Sequence, residues 1–353
     1  MTKRERVLAA LQHRATVPVP WQIDLGSQVA QALVEYTGDE GILERFQGHL
    51  CGSYYWGWPT AVQGRPGYFR DGFGVLWNRN GADKDIGVVE NHCITDIEDW
   101  EDEYRLPPPD TARLQQDVQA ALAGADGRFV TASFGFCMFE RAWTLAGMEN
   151  VLAAMVSCPD ALERLLDAIC EHHLALLDAA LEYGVDGVLF GDDWGQQKGL
   201  IMGPAHWRRF IRPRMRRLYA RVHAAGKYVF QHSCGDCSEI FPDLVDIGLN
   251  CYQTFQPEIY DIAEMKRLYG DKVTFWGGVS TQRCLPQCTP QQVRDTVIRT
   301  IRTLCPGGGL VIAPTHSVPG DVPPENILAM AEVLWDQQET VFSGIGDTAS
   351  PSQ

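Results

Sequence analysis

Lys227-Tyr228-Val229-Phe230-Gln231-His232-Ser233-Cys234-Gly235-Asp236-Cys237 is the stretch on which the fold turns. Residues 227–231 are a short apolar run of strand length. Gly235-Asp236 then supplies a turn and a helix cap ahead of a helical pattern over 237–246. The passage is one strand running out into one helix. Within it, His232 and Cys234 stand one residue apart on extended chain, where alternate side chains point the same way and both donors can reach one ion. An imidazole nitrogen beside a thiolate suits zinc. The plainer readings are a cysteine packed as a small hydrophobe and a hydrogen-bonded core histidine. The weight therefore falls on what the rest of the chain brings to this place.

The same unit repeats along the chain. Strand-like runs begin near Val19, Gly52, Phe129, Val185, Lys227, Leu249, Val273 and Leu310. Helical periodicity covers 4–12, 28–36, 41–47, 112–122, 148–156, 160–183, 204–225 with a break near Pro213, 237–246, 259–268, 291–304 and 324–335. Short continuous apolar strands alternating with longer amphipathic helices predict a parallel sheet covered by helices. About eight such strands predict an α/β fold of the closed (β/α)8 TIM barrel kind. A doubly wound open sheet would place Gly-x-Gly-x-x-Gly after an early strand. The sequence has no such motif, and Gly307-Gly308-Gly309 precedes a strand, as a turn does.

Residues 1–342 read as a single barrel domain. Residues 65–110 read as an excursion packed on it: Asp71-Gly72-Phe73-Gly74-Val75-Leu76-Trp77 and Ile86-Gly87-Val88-Val89-Glu90 are β-like runs around turn formers at 78–85. They predict a twisted hairpin, with Leu106-Pro107-Pro108-Pro109-Asp110 as a stiff connector back to the barrel. The small and polar residues 343–353 read as a flexible tail.

With 353 residues, 45% of them hydrophobic, the chain can bury a large core. Thirty Lys+Arg against 45 Asp+Glu, a net charge of -15, argues against a general binder of nucleic acid or anionic membranes. The one basic cluster, Arg208-Arg209, Arg212, Arg214 and Arg216-Arg217, is spread around a helix and reads as a solvated face with cross-helix pairing. The first residues lead into an amphipathic helix, and no run of 18 apolar residues occurs, so a cytoplasmic protein is expected. Eleven cysteines, an odd number, fit reduced thiols and a metal site better than a disulfide framework.

In a barrel every strand opens at its carboxyl end on one face, and that face carries the chemistry. The unusual residues fall there: Asp24, Glu140 with Arg141, Asp192 and Asp193, His232 and Cys234, Gln253, Gly277-Gly278, and His316. Each has a structural alternative. Asp24 can cap a helix, Glu140-Arg141 can be an ion pair, and Asp192-Asp193 can be an N-cap. His316, at the end of the eighth expected strand, completes the simplest metal set, because two imidazoles and one thiolate leave a fourth tetrahedral position open. Such a site binds a thiol or water, lowers its pKa and presents it as a nucleophile. Cys237 is an alternative ligand, although its helical position points it at the core. The run Tyr54-Tyr55-Trp56-Gly57-Trp58 offers aromatic walls for a pocket, with ordinary core packing as the competing account.

Phe190-Gly191-Asp192-Asp193-Trp194-Gly195, His232-Ser233-Cys234-Gly235, Phe275-Trp276-Gly277-Gly278-Val279 and His316 through Pro323-Pro324-Glu325-Asn326 together resemble the uroporphyrinogen decarboxylase superfamily, which also contains zinc methyltransferases acting on methylated corrinoids. The resemblance runs over most of the chain and implies a (β/α)8 barrel. True decarboxylases of this superfamily carry an arginine-rich N-terminal segment that grips the porphyrinogen carboxylates. Here residues 19–30 contain no arginine, and a polycarboxylate needs charge-matched partners. The methyltransferases use a His-x-Cys pair, matched by His232 and Cys234, plus a later Cys; this chain has His316 there, as the decarboxylases do.

The resemblance thus implies a corrinoid-linked zinc methyltransferase. His232, Cys234 and His316 hold the metal; Glu140 is a further ligand or proton carrier; Asp193 orients substrate or exchanges protons; Asp24, Asp192, Gln253 and Trp56 line the substrate site. A small molecule is the methyl donor or acceptor, and the corrinoid (methylcobamide) arrives on a partner protein, with a homodimer as a compatible assembly. The alternatives are a cofactor-free decarboxylase using Asp193 and His316 as proton carriers, and a non-catalytic binding barrel.

Overall fold

The computed structural model of the chain describes residues 1–81 and 86–342; the turn formers expected at 82–85 and the tail expected at 343–353 lie outside the described residues. Seven strands form the main sheet: β1 (Leu50–Tyr55), β2 (Phe129–Phe134), β3 (Gly187–Gly191), β4 (Tyr228–His232), β5 (Cys251–Phe255), β6 (Thr274–Val279) and β7 (Leu310–Pro314). Their order in the sheet is their order in the chain. The β2–β3, β3–β4, β5–β6 and β6–β7 pairs are parallel. Every residue of β2, β6 and β7 is buried, which explains why these strands read as unbroken apolar runs: a parallel sheet is covered on both faces. The fold is α/β, of the (β/α)8 TIM barrel class.

The strand expected near Val19 does not form. Pro18 and Pro20 lack the amide donors a ladder needs, and the segment makes a single bridge, Trp21 to Ile312. It nevertheless takes the eighth place. On one side Ile312 N donates to Pro20 O at 3.0 Å and Gln22 N to Ile312 O at 3.1 Å; on the other, His49 N donates to Trp21 O at 2.9 Å just ahead of β1.

The described residues fall into two compact units. The first comprises Met1–Leu50, Gly127–Phe129 and the described part of Cys251–Gln353. Its helices are locally specified: Lys3–Leu11 and Pro290–Leu304 each open with a capping box, Thr2 with Glu5 and Thr289 with Gln292. Pro324–Trp335 matches the helix expected there residue for residue.

The second unit comprises Cys51–Asp126 and Val130–Asn250. In place of a hairpin, the excursion is a four-stranded antiparallel sheet, Thr60–Ala61, Tyr68–Arg70, Leu76–Asn78 and Val88–Asn91. Asp71 ties it down. Its carboxylate accepts from Phe73 N and Val75 N at 3.0 Å and from Trp77 Nε1 at 3.1 Å, and pairs with Arg141 at 3.0 Å, both side chains fully buried. Arg141 therefore pairs with Asp71, not with its neighbour Glu140. It also donates to Trp56 O at 2.9 Å and stacks over Phe73.

The break expected near Pro213 is a π-helical turn, Trp207–Ile211, placed just before Arg212–Ala224. Because Pro213 sits in the first turn of that helix, its missing amide costs no bond. The arginine cluster behaves as its spacing implies. Arg208 pairs with Asp243, Arg209 with Glu163, Arg216 with Asp246, Arg214 with Asp167 and Arg217 with Glu171. Among the described residues no helix is long and apolar enough to cross a membrane.

Three buried histidines set an acid limit on stability. Burial lowers the pKa of His49 and of His172 to about 4, and burial with the neighbouring His172 lowers that of His173 to about 3. Unfolded imidazoles take up protons near pH 6.5, whereas these stay neutral. Their contribution is complete above about pH 6.5 and is lost as the pH falls through 4, at about 1.4 kcal/mol per pH unit for each proton. Urea unfolding at pH 7.5, 6 and 5 is expected to show falling stability. His173→Phe, which keeps the ring among Tyr55 and Phe134, is expected to remove about one proton from the slope.

Candidate metal centre and its acidic neighbours

The end of β4 and the end of β3 are laced together by their backbones. Asp192 N donates to His232 O at 3.1 Å, Gly195 N to Cys234 O at 3.2 Å and Asp236 N to Gln196 O at 2.8 Å. Trp194 N donates to Ser233 Oγ at 3.0 Å. The contact leaves no room at Gly235, where φ is +79° and a Cβ would lie 2.2 Å from the Gly195 carbonyl carbon, so only glycine fits. This turn fixes the two candidate ligands.

His232 Nε2 lies 3.8 Å from Cys234 Sγ, both half-buried. Zinc bonds of about 2.0–2.1 Å to nitrogen and about 2.3 Å to sulfur, opened to a tetrahedral angle, put the two donors roughly 3.6 Å apart. The pair therefore fits a shared zinc ion. Asp193 stands beside it: its Oδ1 accepts the Cys234 amide at 2.7 Å and lies 3.6 Å from His232 Nε2. Cys237 is fully buried, its sulfur 3.4 Å from Ser233 Oγ, and faces the core as its position implied.

Asp192 does not line a substrate site. It is fully buried, and its carboxylate accepts from Met138 N at 3.1 Å, Phe139 N at 3.0 Å, Glu140 N at 2.8 Å and Trp194 Nε1 at 2.5 Å. It caps Phe139–Ala146 from across the sheet, a helix that sequence periodicity missed because Met138 gives it no side-chain cap of its own. Burial pushes the Asp192 pKa up to about 6 against these donors. Glu140 is thereby fixed at the first turn of that helix. Burial, then Asp193 and Asp192, raise its pKa well above the carboxylate range, while His232 and a backbone bond to Asp193 oppose the rise. Burial thus favours the protonated form of the Glu140 carboxyl group.

Tyr54, at the end of β1, is 59% exposed, yet the protein around it, with the charges of Glu140 and Asp193, raises its phenol pKa to about 12. The sequence pattern named the aromatic run without separating its members: Ser53 and Tyr55 point into the core and Tyr54 away from it. Trp56 is half-buried, tilted against Phe136 at 5.7 Å and edge-on to Trp77 at 5.2 Å.

The remaining candidates belong to the first unit. His316 is exposed, two residues past β7. It sits between Thr315, whose N donates to Val279 O at 2.9 Å, and Val318, whose N donates to Asp24 O at 2.9 Å. Asp24 is in contact with solvent and accepts from Gln22 Nε2 at 2.8 Å; the surrounding protein raises its pKa. Gln253 is half-buried in β5.

Fold and strand-end residues define an α/β barrel with a His-x-Cys pair beside clustered carboxyl groups. Residues 80–336 match the family described as uroporphyrinogen decarboxylase (URO-D), and the chain belongs to that family. It is 24% identical over 274 residues to a uroporphyrinogen decarboxylase of Dechloromonas aromatica (strain RCB), covering 76% of this chain and 72% of the relative. A uroporphyrinogen decarboxylase of Alkalilimnicola ehrlichii is 26% identical over 265 residues, covering 70% and 68%. A solved methyltransferase from Methanosarcina mazei superposes with a TM-score of 0.69 at 17% identity, covering 96% of this chain and 99% of that one.

Proposed function

We propose that this member of the family is a zinc-dependent methyltransferase of the corrinoid-linked type, moving a methyl group between a small molecule and a corrinoid carried on a partner protein. The observation that carries the reading is the 3.8 Å His232–Cys234 donor pair. The ligand set proposed for the ion is His232, Cys234 and His316. When bound there, zinc supplies a Lewis-acid position that lowers the pKa of a thiol or water and makes it nucleophilic. Asp193 holds the Cys234 amide and, through it, the ligand turn. Glu140 carries a proton on its carboxyl oxygen, and Trp56 lines the substrate site. The Methanosarcina mazei likeness and the lack of arginine in residues 19–30 agree with this branch.

A cofactor-free decarboxylase remains the second reading, favoured by the names of the matched family and relatives. It would use Asp193 and His316 as proton carriers on a small carboxylated substrate. The two part on one experiment. Purified protein is expected to carry close to one zinc per chain and to lose methyl transfer to free cob(I)alamin on chelation, regaining it with zinc. Release of carbon dioxide from a carboxylated substrate that persists after chelation would carry the second reading instead.

A further inference from the structure

We propose that Cys284 and Cys288 form a peroxide-sensitive dithiol that closes into a reversible disulfide and, in closing, opens the helical turn between them. The pair is separate from the His232–Cys234 centre, and the proposal does not depend on the reaction assigned there. Both are free thiols. They stand four residues apart on one helical turn, Cys284–Gln287, which follows β6, and Cys288 N donates to Cys284 O at 3.1 Å. Side chains at that spacing share a helix face. Cys284 is only 7% exposed and Cys288 is half-buried, so a soluble oxidant meets Cys288 first. Burial raises the Cys284 pKa to about 11, against a hydrogen bond with Thr296, and the neighbouring Cys288 adds to the rise. That last contribution ends once the Cys288 sulfur is oxidised and can no longer ionise as a thiol.

The chemistry takes two steps. Hydrogen peroxide gives one oxygen to the Cys288 sulfur; the O–O bond breaks, the second oxygen leaves as water with the thiol proton, and a sulfenic acid remains. The Cys284 sulfur then displaces that oxygen: the S–S bond forms, the S–O bond breaks, and water leaves with the Cys284 proton. Cys288 has to move for this, because Cβ atoms four residues apart on a helix are about 5–6 Å from each other and a disulfide needs about 3.5–4.5 Å. Cys284 is pinned, its N donating to Ser280 Oγ at 3.3 Å and Leu285 N to Ser280 O at 3.0 Å. Cys288 ends the turn and is already extended, with ψ at 161°. Asn326, 2% exposed, holds it there, donating from Nδ2 to Leu285 O and to Cys288 O, both at 2.8 Å. Drawing Cys288 inward breaks its bond to Cys284 O and takes a carbonyl from a buried amide. That cost favours return to the dithiol when a reductant is present.

The test treats reduced full-length protein with hydrogen peroxide, blocks the remaining thiols and maps every cysteine by mass spectrometry, with hydrogen exchange on the same samples. A Cys284–Cys288 disulfide is expected, reversed by dithiothreitol, with exchange over residues 284–288 and 324–328 faster by ~5–10-fold, the value of one neutral hydrogen bond. In Cys284→Ala, Cys288 is expected to stop at the sulfenic acid and to be trapped by dimedone. In Cys288→Ser, Cys284 is expected to stay reduced. Cys284 linked to a different cysteine, Cys288 carried to the sulfinic acid in wild type while Cys284 stays reduced, neither thiol modified, or a disulfide that leaves exchange over both segments unchanged overturns the proposal.

Discussion

Cys234→Ala is expected to reduce zinc from close to one per chain to below about a tenth and to abolish methyl transfer, while circular dichroism stays that of the folded protein. Losing a group that merely hydrogen-bonds a ligand costs 10–100-fold in metal affinity, and losing the ligand costs more. The fold survives because the turn is built from the backbone. Cys234 N reaches Asp193, Gly195 N reaches Cys234 O, and Gly235 packs on Gly195, none through the sulfur. Zinc retained at full occupancy in this variant would remove Cys234 from the ligand set.

The second large effect is on stability. Arg141→Ala leaves the Asp71 carboxylate buried without its cation, a change that costs about 3–5 kcal/mol. For a chain of this size the melting temperature is expected to fall by about 4–7 °C. Asp71 also receives three hydrogen bonds from Phe73, Val75 and Trp77, so the loss should loosen the four-stranded excursion first. Hydrogen exchange followed by mass spectrometry is expected to speed up over residues 68–78 before the strands of the main sheet. Arg141→Met with Asp71→Leu should recover part of the stability, since two apolar groups leave no unpaired charge. Equal melting of wild type and Arg141→Ala would show that the pair contributes nothing.

Much of the fold was legible because its determinants are local. Apolar runs mark β2, β4, β6 and β7, and capping boxes open Lys3–Leu11 and Pro290–Leu304. The failures have non-local causes. Residues 18–22 fill the eighth strand position with two hydrogen bonds to Ile312 in place of a ladder, which no periodicity records. Phe139–Ala146 is capped by a residue more than fifty positions away, Asp192, so its start carries no local signal. The same bond explains the misreading of Asp192. An acid at a strand end is as good a candidate for a ligand as for a distant cap, and only its burial separates the two. His232 and Cys234 were legible because alternation on a strand suffices to pair them.

The most direct measurement is zinc K-edge X-ray absorption on the purified, zinc-loaded protein. One sulfur scatterer near 2.3 Å with nitrogen or oxygen at about 2.0–2.1 Å, the sulfur disappearing in Cys234→Ala, is the predicted result. A shell of nitrogen and oxygen alone, or protein that binds no zinc while still turning over its substrate, would contradict the account.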